Sequence, residues 1–148
     1  GLTGLAGGAA VAGCCAQMIG FAVMSYKENG VGGLLAQGIG TSMLQVPNIV
    51  RHPQIWIPEI LSSAILGPIA ISKWIGMTNN ATGSGMGTSG LVGQIMTYQT
   101  MTATEEPVLV ILKIIVFHFL LPGLLSYVIY RGMRNMGYIK DGQMKLDV

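Results

Sequence analysis

Apolar positions run along this chain in long blocks, without the two- or 3.6-residue alternation of a surface strand or helix. Residues 1–26 hold no charged side chain, a longer run than the roughly 20 apolar residues needed to cross a bilayer core. It is too long and too often interrupted by Gly for a secretory leader, and no basic run precedes it. Gaps between charges then delimit four expected membrane segments. They are residues 2–26, closed by Lys27 and Glu28; 31–50, closed by Arg51 and His52; 55–77, interrupted by Glu59 and Lys73; and 107–130, interrupted by Lys113 and His118. The pattern predicts an all-α, polytopic integral membrane protein with about four membrane segments. Residues 1–130 are expected to be embedded, and residues 131–148 to form a wet basic tail.

Composition supports the membrane class and removes others. Only 9% of residues are charged, against roughly 25% in an ordinary soluble domain. Hydrophobic residues make up 51%, the reverse of a disordered chain. Twenty-two glycines with 6 prolines and no triplet period exclude collagen. A net charge of +2 supplies no nucleic-acid-binding surface. The two cysteines, Cys14 and Cys15, are adjacent and give no disulfide framework. Arg131, Arg134, Lys140 and Lys145 place the tail on the cytoplasmic side by the positive-inside tendency. Trp56 and Trp74 stand near opposite ends of the third segment, where interfacial aromatics belong.

The segments are not plain anchors. Gly4 and Gly8 have the small-xxx-small spacing that lets helix backbones approach closely. The second segment carries Gln37, Thr41, Ser42, Gln45, Pro47 and Asn48. It reads as a broken or re-entrant helix, or as an interfacial loop. Irregular backbone at membrane depth is tolerated only where it is buried in protein or lines a wet cavity.

Residues 78–104 are uncharged yet strongly polar. They either dip into the membrane and return, or cross it. Asn79, Asn80, Ser84, Thr88, Ser89 and Gln94 offer neutral donors and acceptors between glycines. That chemistry suits a neutral, hydroxyl-rich ligand; a phosphorylated one calls for Lys or Arg, absent here. Residues 85–90 match the G-x-G-x-x-G fingerprint literally, but outside the strand–helix unit that gives it meaning.

Ionisable groups inside apolar segments are functional candidates by default. His118, eleven residues past Pro107, is either a packed hydrogen-bonding group or a proton handler. Glu105-Glu106-Pro107 is the sharpest site. Its carboxylates could act as a base toward a ligand hydroxyl, accept hydrogen bonds from it, or simply start a helix. No residue spacing suggests a metal site, and no cofactor is expected.

Several runs carry a resemblance. Gln45-Val-Pro47-Asn48 through His52-Pro53, Trp56 and Pro58, followed by Gly67-Pro68, resembles the membrane-embedded IIC component of bacterial phosphotransferase-system sugar permeases. Met77-Thr-Asn-Asn80 and residues 85–93 are similar to its type-2 branch, which includes proteins described as perfringolysin O regulators. The tail, residues 137–146, is similar to that branch's C-terminus. The resemblance implies a multi-pass bacterial cell-membrane domain with re-entrant hairpins, usually homodimeric, that binds a sugar. It implies a IIB domain as partner, whose cysteine-phosphate phosphorylates the sugar; this chain carries no phosphoacceptor of its own.

Glu106-Pro107 matches the family's Glu-Pro motif, with Ala103-Thr104-Glu105 in place of the usual lead-in, and so Glu106 is the expected catalytic residue. Asn79, Asn80, Ser84, Thr88, Ser89, Gln94, Glu105 and His118 are the expected substrate-binding residues. The chain resembles the C-terminal portion of a longer domain and is expected to work with the rest of it. A membrane-bound regulator that keeps the architecture without transport is the alternative, and a ligand-free structural subunit a third reading.

Overall fold

The computed structural model describes residues 2–147, and regular structure there is helical throughout. The first expected segment forms α1 (Gly4–Met24). At about 1.5 Å per residue its 21 residues reach roughly 30 Å, a bilayer core. The fourth forms α6 (Pro107–Ile114), a π-helical stretch at Ile115–Leu120, and α7 (Leu121–Asn135). Together they make a continuous 29-residue rod, Pro107–Asn135. Pro107 sits at a first-turn position, where the missing N–H costs nothing, whereas Pro122 lies inside the rod directly after the π-helical stretch. Among the described residues these two stretches alone are long and apolar enough to cross a membrane.

The other two expected segments differ from the reading, for local reasons. In the third, Pro53–Trp56 winds as a 3₁₀ turn and Pro58 then starts α4 (Ile57–Ala70). Its 14 residues fall short of a full apolar span on their own. The second is broken. After α2 (Tyr26–Leu35), kinked at Gly30, a π turn at Ala36–Gly40 runs into the extended Thr41. The chain then reverses through a 3₁₀ turn, Ser42–Gln45, into α3 (Val46–Arg51).

Contacts along α1 fix the arrangement. At its N-terminal end Gly4 pairs with Asn79 in an antiparallel bridge. At its C-terminal end the first hairpin, residues 26–51, has both arms on the tail: Asn29 Nδ2 donates to Met144 O at 2.8 Å, and Asn48 Nδ2 to Lys145 O at 2.9 Å. Helix α4 runs antiparallel to α1. Its Trp56 end meets Gln17, its Ser63 accepts from Gln17 Nε2 at 3.1 Å, and Gly67 lies beside Ala9. The α6–α7 rod runs parallel to α1, from Lys113 against the Ile75 carbonyl to Tyr130 and Met133 beside Phe21 and Met24.

The glycines of α1 make these contacts possible. A Cβ on Gly8 would overlap the carbonyl of Met77, and one on Gly20 would overlap both carboxylate oxygens of Glu59. The small-residue face of α1 therefore receives backbone and polar groups as well as helices. The tail is more than a wet appendage: Ile139, Met144 and Leu146 are buried, while Arg131, Lys140 and Lys145 stay exposed.

Candidate functional site

Residues 78–104 do not cross the bundle. They leave from Asn79 beside Gly4, and Gly87 reaches Cys14 halfway along α1. They return through α5 (Val92–Met101) to Glu105, which pairs with Lys113 beside Ile75, at the end where they began. Two hairpins thus enter from opposite ends of the bundle. Their tips meet where Thr88 Oγ1 donates to the Gly38 carbonyl. Both π-helical stretches lie near this depth: one holds Gly38, the other His118. Such bulges free backbone groups and recur at functional sites.

A cavity of about 320 Å³ opens between the tips and α1. This falls in the size range of small-molecule sites. Gln17 reaches it from α1, Thr41 and Ser42 from the first tip, and Gly85 and Ser89 from the second. Met side chains and Cys14 complete the wall, and no charged residue lines it. Gln17 is held in place by α4: its Oε1 accepts from Trp56 Nε1 at 2.8 Å while its Nε2 donates to Ser63. Thr41 Oγ1 accepts from Met43 N at 3.1 Å. The hydroxyls of Ser42 and Ser89 have no hydrogen-bond partner among the described residues. The arrangement offers neutral donors and acceptors on three elements, two of which are hairpin tips.

The expected site residues divide into four groups. Ser89 lines the cavity. Asn79, Asn80 and Ser84 are committed to shaping the second hairpin, and Thr88 to joining its tip to Gly38 of the first. Asn79 Nδ2 donates to Gly93 O at 3.2 Å and Thr97 Oγ1 at 3.0 Å. Asn80 Oδ1 accepts from Gly83 N at 2.9 Å, and Ser84 Oγ donates to Ala81 O at 3.2 Å. Gln94 and His118 form a separate buried pair, Nε2 to Nδ1 at 3.1 Å, with Cys15 Sγ 3.3 Å from the same amide nitrogen. In that pair Gln94 Oε1 and His118 Nε2 have no protein partner.

Glu105 and Glu106 diverge. Glu105 forms a 2.6 Å ion pair with Lys113, which also donates to Ile75 O at 2.5 Å. Glu106 is exposed, precedes Pro107 at the start of α6, and does not line the cavity. Sequence reasoning did not single out Gln17, although it is the one amide inside an otherwise apolar α1. Thr41 and Ser42 signalled a broken helix without signalling a cavity.

A family model described as "Phosphotransferase system, EIIC" matches residues 1–146. The chain belongs to this type-2 EIIC family. It is thus a membrane component of a sugar-transport permease, in keeping with the two membrane-length helices. No curated protein and no solved structure gives a significant match.

Proposed function

We propose that this chain forms the sugar-binding part of a phosphotransferase-system permease, and that the sugar occupies the cavity between the two hairpin tips. The observation that carries the reading is the pair of uncommitted hydroxyls, Ser42 and Ser89, facing one uncharged cavity from opposite hairpins. A sugar hydroxyl both donates and accepts, so it bonds to Ser, Thr and Gln side chains without bringing a charge into the bundle. Discontinuous helices meeting at mid-depth are also how many transporters build substrate sites. In this reading α1 and the α6–α7 rod cross the cell membrane, α4 packs antiparallel beside α1, and both hairpins are re-entrant. The chain acts with the rest of the IIC domain, as a homodimer.

Phosphorylation by a IIB partner completes the reading. The S–P bond of the partner's cysteine-phosphate breaks as an O–P bond forms to the sugar, and the hydroxyl proton passes to a base. Glu106 is the candidate base by its Glu-Pro motif; its exposed carboxylate stands at the Pro107 end of the rod, opposite the tail, so this role requires that end to face the IIB partner. The test is sugar uptake and phosphorylation by the intact permease. Ser89→Ala is expected to weaken sugar affinity about 10-fold, the loss of roughly one hydrogen bond to a buried ligand. Glu106→Gln is expected to abolish phosphorylation while sparing binding. Unchanged phosphorylation in Glu106→Gln would remove the catalytic assignment, and unchanged affinity in Ser89→Ala would remove the cavity.

The distance of Glu106 from the cavity lining favours a second reading, a regulator that binds sugar without transferring phosphate. Sugar binding by wild-type protein with no phosphorylation by any IIB partner would select it.

A further inference from the structure

The C-terminal ends of α1 and α7 lie side by side, away from the sugar cavity, with a pocket of about 140 Å³ between them. Three cations reach it: Lys27, just past α1, and Arg131 and Arg134 on α7. Three tyrosines, Tyr26, Tyr127 and Tyr130, line it above an apolar floor. Arg134 is partly engaged, donating to Tyr130 Oη at 2.7 Å and pairing with Asp141. Lys27 and Arg131 are exposed and have no carboxylate partner among the described residues, where the ion pairs are Lys113–Glu105 and Arg134–Asp141.

The pocket's depth is set by the two elements that carry it. α1 and the α6–α7 rod are the two membrane-length stretches, so their ends stand at the boundary between hydrocarbon and headgroups. Tyrosine favours that level. A phosphate offers only acceptor oxygens to Lys and Arg, the match these unpaired donors need. Leu124 and Val128 lie on the same face of α7 as Arg131, toward the membrane interior, and are 59% and 57% exposed. They form an apolar track leading from the cations, which a free anion does not need and an acyl chain does.

We propose that this pocket binds the phosphate headgroup of an anionic phospholipid, with Lys27 and Arg131 as its principal contacts. Basic pockets between membrane helices hold anionic headgroups by this chemistry. The proposal is independent of the sugar reading.

The test is phosphatidylglycerol binding to the purified intact permease in detergent, read by native mass spectrometry and by thermal stabilisation on lipid addition. Phosphatidylglycerol is expected to be retained and stabilising, and phosphatidylcholine not. Lys27→Gln and Arg131→Gln should each weaken retention about 5-fold, and the double variant about 30-fold. Lys140→Gln removes an exposed tail charge outside the pocket and should change retention less than about twofold. Inorganic phosphate should not displace the lipid. Three results would each overturn the proposal: unchanged retention in the double variant, equal loss in Lys140→Gln, or displacement by inorganic phosphate, which marks a free-anion site.

Discussion

Two helical glycines show how differently one residue type is used in this chain. A Cβ at Gly8 would overlap the Met77 carbonyl, which belongs to the backbone of a turn and cannot swing away. A Cβ at Gly32 meets nothing. Gly8→Ala is therefore expected to destabilise the protein by about 1–3 kcal/mol, the cost of forcing a packed contact apart. Gly32→Ala should be neutral or stabilising by up to about 1 kcal/mol through helix propensity. Thermal unfolding of the two variants in detergent checks both, and equal melting temperatures would contradict the close approach. From the sequence, the Gly4/Gly8 spacing announced a close contact but not its partner. The partner is the turn at Met77, and a backbone carbonyl leaves no residue-type signature.

At the scale of elements, the hairpins depend on side chains that bond to backbone. Asn29 donates to Met144 O and accepts from Leu146 N, both at 2.8 Å; Gln45 Nε2 donates to Met144 O at 2.9 Å; Glu28 accepts from Gly142 N and Met144 N at 3.1 Å. The tail is thus strapped across both arms of the first hairpin. Asn29→Ala removes two of these bonds and is expected to cost about 1–3 kcal/mol. Faster proteolysis of the tail and faster hydrogen exchange over residues 26–51 would report it; protection equal to wild type would refute the strap. Thr88→Val removes the bond to Gly38 and should raise exchange at both tips, with little effect at the tail.

Much of this organisation was legible beforehand, because charge and hydrophobicity are written residue by residue. The uncharged run before Lys27 became α1, and the apolar run after Pro107 became the α6–α7 rod. The polar positions of the second segment, Gln37, Gln45 and Asn48, pointed to a broken or re-entrant helix or an interfacial loop, and the structure shows the broken helix. What they bind was not legible, since Gln37, Gln45, Asn48 and the tail meet only in three dimensions. The same holds for residues 78–104. Their polarity marked a site, yet most of their side chains fold the hairpin itself. The cavity draws on Gln17, Thr41 and Ser42, far away in sequence. The basic positions of the tail pointed to a wet segment, whereas Ile139, Met144 and Leu146, spaced among them, carry its packing.

For the whole molecule, the account turns on two hairpins of opposite entry closing on one uncharged cavity, in a chain of the EIIC family. Moving either tip changes the cavity, so ligand binding and hairpin position are linked. A sugar that binds the closed arrangement should slow hydrogen exchange at both tips together, because a ligand shifts an equilibrium only through its differential affinity for the two states. The most direct measurement is equilibrium sugar binding to the intact permease carrying Ser42→Ala and Ser89→Ala together. The account predicts at least a 10-fold loss of affinity with the melting temperature of the sugar-free protein unchanged to within about 2 °C, since both hydroxyls lack a protein partner. Wild-type affinity in that double variant would contradict it.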